Sequence, residues 1–264
     1  MTLRPVVKIM GGKKHLWKWI VQSFPPDYEN MVYGELFIGG GSVFLNKKPS
    51  GLEYINDIDE GLISIWRTIF YPEFLQQLHS LSYSENTFKA ALIYLLHKNK
   101  GLIEWAVAEY VKRRMSRGGL GKTFAWSDRL RGGEPGDVHG WNTALAQLSS
   151  IADRTQHAHI SCKNALDLIH ELDSPQTLLY LDPPYLKETR TAKNTYQYDF
   201  TNEDHIELLE IIIGFKGKVL ISGYESSLYA KYLSGWRLEK KEMPNHSGQG
   251  KTKQRRVECL WCNF

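Results

Sequence analysis

Short apolar runs alternate along the chain with helix-periodic segments. Runs at residues 32–38, 52–56, 159–163, 178–182 and 218–222 are five to seven residues long, the length of buried strands. Helical spacing follows at 60–70, 165–171, 203–214 and 226–233. This alternation predicts an α/β fold with a largely parallel sheet. Two final runs, 236–243 and 256–264, flank a polar loop and predict an antiparallel hairpin at the sheet edge. Residues 71–155 break the rhythm with helical patterns at 88–97 and 103–115, then a loop rich in Gly, Arg and aromatics. Sequential strands of one sheet rarely lie so far apart. Residues 71–155 are therefore expected to form an inserted, mainly helical lobe, with 1–70 and 156–264 as one domain around it.

Composition narrows the class. With 264 residues, 42% of them hydrophobic, the chain can build one large core with a smaller lobe in it. The longest apolar runs, at 90–96 and 208–215, are too short to span a bilayer, and the first residues lack the apolar stretch of a secretory signal. A soluble, cytoplasmic protein is expected, with no membrane partner. Cys259 and Cys262 are spaced to opposite faces of a predicted strand and Cys162 stands alone, so no metal site is expected. The net charge of +4 is regional: between 112 and 131, seven Lys and Arg face Asp128 alone. That concentration suits a polyanion partner.

Two segments carry candidate chemistry. Residues 35–42 (Glu-Leu-Phe-Ile-Gly-Gly-Gly-Ser) read as a strand running into a glycine turn and a helix, a place for close backbone approach to a ligand. Asp57 follows at the end of the next strand, where an acid binds ribose hydroxyls. No Lys follows the glycines, which argues against a triphosphate loop. The second segment is Asp182-Pro183-Pro184-Tyr185, directly after an apolar strand. Two prolines end the ladder and start a rigid turn at the sheet's carboxyl edge, where open α/β sheets bind ligands.

These motifs, in this order, resemble the DNA adenine methyltransferases of the Dam type, in their α arrangement. Gly11-Gly12-Lys13 matches the N-terminal element, 35–42 the cofactor motif, Asp57 the ribose acid and Asp182–Tyr185 the catalytic motif. Arg256-x-Glu258-x-x-Trp261-x-Asn263 looks like the C-terminal strand of some members. The resemblance implies a Rossmann-like methyltransferase sheet, S-adenosylmethionine as cofactor and S-adenosylhomocysteine as product. By it, Lys13 neutralises the methionyl carboxylate, Gly39, Gly40, Gly41 and Ser42 cradle the methionine, Asp57 holds the ribose, and Glu35, Phe37 and Ile58 line the site. Asn164 stands where the family carries an acid facing the cofactor's adenine, with Asp167 nearby; Ile9-Met10 replaces an aromatic before the first glycines. Asp182 and the Pro183 carbonyl would accept the two hydrogens of the target amine, and Tyr185 would stack on the base.

A base inside a duplex must be flipped out to reach such a pocket. Arg113, Arg114, Arg117, Lys122, Trp126 and Arg129 are the expected contacts to double-stranded DNA. A solvated basic face is the plainer reading of a charge run. Tyr196, Tyr198 and the loop at 246–256 are further candidates, with ordinary packing and a solvated hairpin tip as their alternatives. The expected protein is a monomer, bacterial or phage-encoded, with or without a restriction endonuclease partner. The alternatives are methylation of RNA or of an amide, where Asn is more usual than Asp at the first motif position, and a non-catalytic DNA-binding regulator on the same fold.

Overall fold

The computed structural model describes residues 2–190, 198–244 and 255–264, so Tyr196 and the loop at 246–254 lie outside the described residues. The first half of the chain forms α1 (Trp17–Gln22), β1 (Val32–Glu35), β2 (Leu52–Asn56), α2 (Glu60–Thr68), α3 (Pro72–Ser80), α4 (Glu85–Leu95), α5 (Leu102–Met115), β3 (Leu130–Arg131) and β4 (Glu134–Pro135). Then come α6 (Gly136–Leu145), α7 (Leu148–Thr155), β5 (His159–Ser161), α8 (Ala165–Glu171), β6 (Thr177–Leu181), α9 (Asn202–Ile213), β7 (Lys218–Gly223), α10 (Ser227–Tyr232), β8 (Arg237–Pro244) and β9 (Arg255–Cys262). None of these helices is long and apolar enough to cross a membrane.

Packing divides the chain into two units, one of residues 1–22, 38–48 and 57–162, the other of 23–37, 49–56 and 163–264. The second unit carries the order β2-β1-β6-β7-β9-β8. β2, β1, β6 and β7 run parallel, and β9 runs antiparallel to both β7 and β8. This is the mostly parallel sheet with an antiparallel C-terminal hairpin that the pattern predicted. All five residues of β6 are buried, as a central parallel strand requires. Its core joins Leu36, Leu179, Leu181, Val219 and Ile221 of the sheet to Leu168 and Ile169 of α8 and Leu208 and Ile212 of α9. Side chains start these helices: Asn164 caps α8, Thr201 and Asp204 form a capping box on α9, and Ser226 caps α10. Because β2 and β6 flank β1 on opposite sides, the strand order reverses there, and the carboxyl ends of β1 and β6 mark the switch point.

In the first unit, residues 71–155 group with the N-terminal segment, the glycine turn and Asp57, rather than standing by themselves. The physical reason is α5, which packs closely on α2 as well as on α4. Buried rings fill the space, with Phe74 edge-on to Tyr110, Tyr110 against Trp141, and Phe44 edge-on to Trp66. The N-terminal strand of chain is tied down by Val6 N–H donating to the Gly40 carbonyl at 3.0 Å and by Arg114 donating to the Pro5 and Val6 carbonyls.

Candidate active site

The second unit holds the Asp-Pro-Pro-Tyr loop at the carboxyl end of β6. β6 pairs with β7 so that Leu181 lies beside Ile221, which brings Asp182 next to Ser222. Ser222 Oγ donates to Asp182 Oδ1 at 2.6 Å. The Tyr180 hydroxyl lies 3.3 Å from the same Ser222 oxygen. Burial, with Asp182 and Glu35 nearby, raises the Tyr180 phenol well above its usual range, so it keeps its proton.

Tyr185 is held just as closely. Its ring meets Tyr224 edge to face at 4.7 Å, and its hydroxyl donates to Glu258 Oε2 at 2.8 Å. Burial and the Asp182 and Glu258 carboxylates keep this phenol protonated as well. The pairing of Gly223 with Cys259 places Glu258 at this edge, and Arg256 donates to the Tyr224 hydroxyl at 3.2 Å. With only 8% of its surface exposed, Tyr185 is a braced ring rather than a free one. Beneath the loop lies His205, fully buried, with Nδ1 3.1 Å from the Tyr229 hydroxyl and its ring edge-on to Phe200. Burial pushes its pKa down to about 4 against a modest pull from the Pro184 carbonyl, so the imidazole is neutral near pH 7.

The other predicted residues of this unit have structural partners too. Glu35 is buried and accepts from the Tyr33 hydroxyl at 2.7 Å; Phe37 packs edge-on to Phe200. Asn164 is exposed, and its side-chain oxygen accepts from Leu166 N–H as the α8 cap. Asp167 is exposed on the first turn of α8, and Tyr198 is exposed. Fully buried Asn56, not singled out from sequence, bonds the Leu36 carbonyl and both backbone groups of Lys163, fixing where β1 exits and where α8 begins.

The first unit holds the glycine turn and Asp57. Gly39 N–H donates to Asp57 Oδ2 at 3.0 Å and Asp59 N–H to Asp57 Oδ1 at 3.1 Å. Burial raises the Asp57 carboxyl from 3.8 to about 6 despite both bonds. Glycine is required here by packing as well. A Cβ at Gly41 would come within 2.6 Å of the Trp66 ring, and one at Gly40 within 2.8 Å of Pro5, so the turn is dictated by packing inside the unit. Gly39 and Gly41 also adopt positive φ, of 49° and 70°. Trp66 Nε1 donates back to the Gly39 carbonyl at 3.2 Å. Lys13 is buried with Nζ donating to the Gly11 carbonyl, the Ser42 side chain is buried, and Ile58 is 45% exposed.

Two expected DNA contacts are corrected. Arg113 is buried and pairs with Asp59 at 2.8 Å and Glu109 at 3.3 Å. Arg114 is buried and spends its guanidinium on backbone carbonyls. Neither presents its charge to solvent; both hold α5 in place. Arg117, Lys122, Trp126 and Arg129 lie at or near the surface, on a loop closed by Ala125 N–H to the Met115 carbonyl and a Ser116–Phe124 bridge, and on the chain beyond it. Trp126 is exposed, with Nε1 donating to Asp128.

All three cysteines are free thiols, and burial pushes Cys259 up to about 11 and Cys262 to about 12. Among the described residues there is no cluster of metal-ligating side chains.

A family profile for the D12 class N6 adenine-specific DNA methyltransferases matches residues 10–110 and 137–245. The chain belongs to this family. The match spans the glycine turn, Asp57 and Asp182–Tyr185, and omits 111–136, which carries the basic cluster between 112 and 131. The S-adenosylmethionine cofactor expected from the motifs goes with the family. Among curated proteins nothing matches the chain. Similar solved structures include a SAM-dependent methyltransferase from Agrobacterium tumefaciens (11% identity, 97% of this chain and 62% of that one, TM-score 0.42). Others are an rRNA methylase from Streptococcus thermophilus (11%, 99% and 98%, TM-score 0.37) and an RNA methyltransferase, described as putative in its name, from Pyrococcus horikoshii (9%, 97% and 85%, TM-score 0.40). Likeness at this level carries nothing about substrate.

Proposed function

We propose that this protein methylates the exocyclic amine of adenine at specific sites in double-stranded DNA, acting in the cytoplasm of a bacterial cell. The observation that carries the reading is Asp182, at the carboxyl end of β6 beside the switch point, with one oxygen fixed by Ser222 and a braced Tyr185 three residues on.

The residues present suit the cofactor. A half-buried carboxyl raised to about 6 gains from new hydroxyl donors, and a buried lysine suits an anionic group. Asp57 would hold the ribose and Lys13 the methionyl carboxylate. When bound, S-adenosylmethionine supplies a methyl group on a sulfonium, already a good electrophile.

The chain's own task is to hold the amine. The lone pair of that nitrogen is delocalised into the adenine ring. Asp182 accepts one of its hydrogens and the Pro183 carbonyl the other, which favours a tetrahedral nitrogen with its lone pair free. Tyr185 holds the flipped base in orientation. Arg117, Lys122 and Arg129 grip phosphates or read base edges, and Trp126 offers a stacking surface.

Expression in a host lacking adenine methylation, followed by base-modification sequencing, tests this directly. Methylated adenine at a defined site is expected, and none with Asp182→Ala, while that variant still binds the cofactor by calorimetry. Undiminished methylation by the variant, or a preference for RNA in competition, overturns the reading. Failure of the native protein to bind the cofactor would favour a non-catalytic regulator.

A further inference from the structure

We propose that Ser222 is the positioning residue for Asp182, and that Tyr180 acts on Asp182 through it, as a directed chain of hydroxyls running Tyr180 to Ser222 to Asp182. The inference rests on the methylation reading above and names parts of the same site that the motifs do not contain.

The direction of the chain follows from counting protons. A serine hydroxyl has one proton to give and two lone pairs to receive with. Ser222 Oγ lies 2.6 Å from Asp182 Oδ1, 3.3 Å from the Leu181 carbonyl and 3.3 Å from the Tyr180 hydroxyl. The short contact to a carboxylate is the strongest, so the proton goes to Asp182. Ser222 then receives from Tyr180, whose phenol is fully buried and keeps its proton. Each bond polarises the next, so Tyr180 strengthens the hold on Asp182 without touching it.

Fixing one oxygen fixes the other. A carboxylate bound at Oδ1 cannot turn about its Cβ–Cγ bond without losing that contact, so the direction in which Oδ2 accepts is set. The anchor is rigid. Ser222 is 1% exposed on β7, and β7 is paired on both sides, with β6 and with β9. Asp182 itself sits on the loop, one residue past the end of β6. The Ser222 bond tethers its side chain to the neighbouring strand.

The experiment uses the full-length protein, tritiated S-adenosylmethionine and genomic DNA from a host lacking adenine methylation. Ser222→Ala is expected to lower kcat roughly 10- to 100-fold, the range spanned by one hydrogen bond to a charged group. KM for DNA and cofactor affinity by calorimetry should stay close to native, while the melting temperature falls by a few degrees because the buried Tyr180 hydroxyl loses its acceptor. Tyr180→Phe should lower kcat a few-fold in the same direction. Added to Ser222→Ala it should cost nothing more, because its route to Asp182 is already cut. A purely structural serine would not give that non-additivity. A kcat within twofold of native in Ser222→Ala overturns the proposal. So does a loss that falls on KM or cofactor affinity, or losses that multiply in the double variant. Failure of the methylation reading looks different: the native protein would then put no label into DNA.

Discussion

Lowering the pH from 8 to 5 should weaken cofactor binding through Asp57. Its carboxyl titrates near 6 because burial outweighs the N–H donors of Gly39 and Asp59. Only the ionised form accepts from two ribose hydroxyls, so apparent affinity should be unaffected at pH 8, halved near pH 6 and about tenfold weaker at pH 5. The same shift acts on the fold with a definite sign. The folded-state pKa lies above the usual 3.8, so this group's favourable contribution is complete below about pH 4 and is lost as the pH rises through about 6. The full shift corresponds to about 3 kcal/mol of strain at neutral pH, and solvent screening of a half-buried side chain makes the true figure smaller. Cofactor hydroxyls would relieve that strain. Calorimetric titration of S-adenosylmethionine at pH 8, 7, 6 and 5 measures the effect, with Asp57→Asn run in parallel to remove the pH response of every other group. A flat native curve refutes the reasoning, as does an equal step in Asp57→Asn.

Two further substitutions separate bracing from contact. Arg113→Met should destabilise the fold by about 3 kcal/mol, because it leaves the Asp59 carboxylate without its buried cation and Glu109 with one of its two; a large fall in melting temperature is the expected readout. Arg117→Ala should leave the melting temperature unchanged, weaken duplex binding, and lower the slope of log affinity against log salt by about one. Tyr185→Phe keeps the ring but deprives Glu258 of a donor; about 1–3 kcal/mol of stability should go, with turnover falling less than in Tyr185→Ala.

Strands β6 and β7 were legible because each is a short apolar run buried along nearly its whole length, and the Asp-Pro-Pro-Tyr turn because two prolines announce its geometry. What surrounds that turn was not. Ser222 and Tyr224 look ordinary in sequence, and their relation to Asp182 and Tyr185 exists only through the registers of β7 with β6 and β9. Glu258 stood out as part of a strand motif without its role. Arg113 and Arg114 were misjudged because a charge run does not say which way a helix faces. The clue was present: Glu109 and Arg113 are four apart on one face of α5, alongside Ala106 and Tyr110, which marks that face as inward. The packing of Trp66 and Pro5 against the glycines of the turn cannot be seen in a local motif.

Arg113 joins α5 to the Asp57–Asp59 segment, and this bears on how target choice could change. Helix α5 cannot be exchanged without disturbing the Asp57–Asp59 segment. The neck where Ala125 bonds back to Met115 encloses a short stretch that carries Arg117 and Lys122 and lies outside the family profile's match. On the methylation reading, that stretch is where target choice can drift or be grafted, and chimeras joined there should change which DNA is marked.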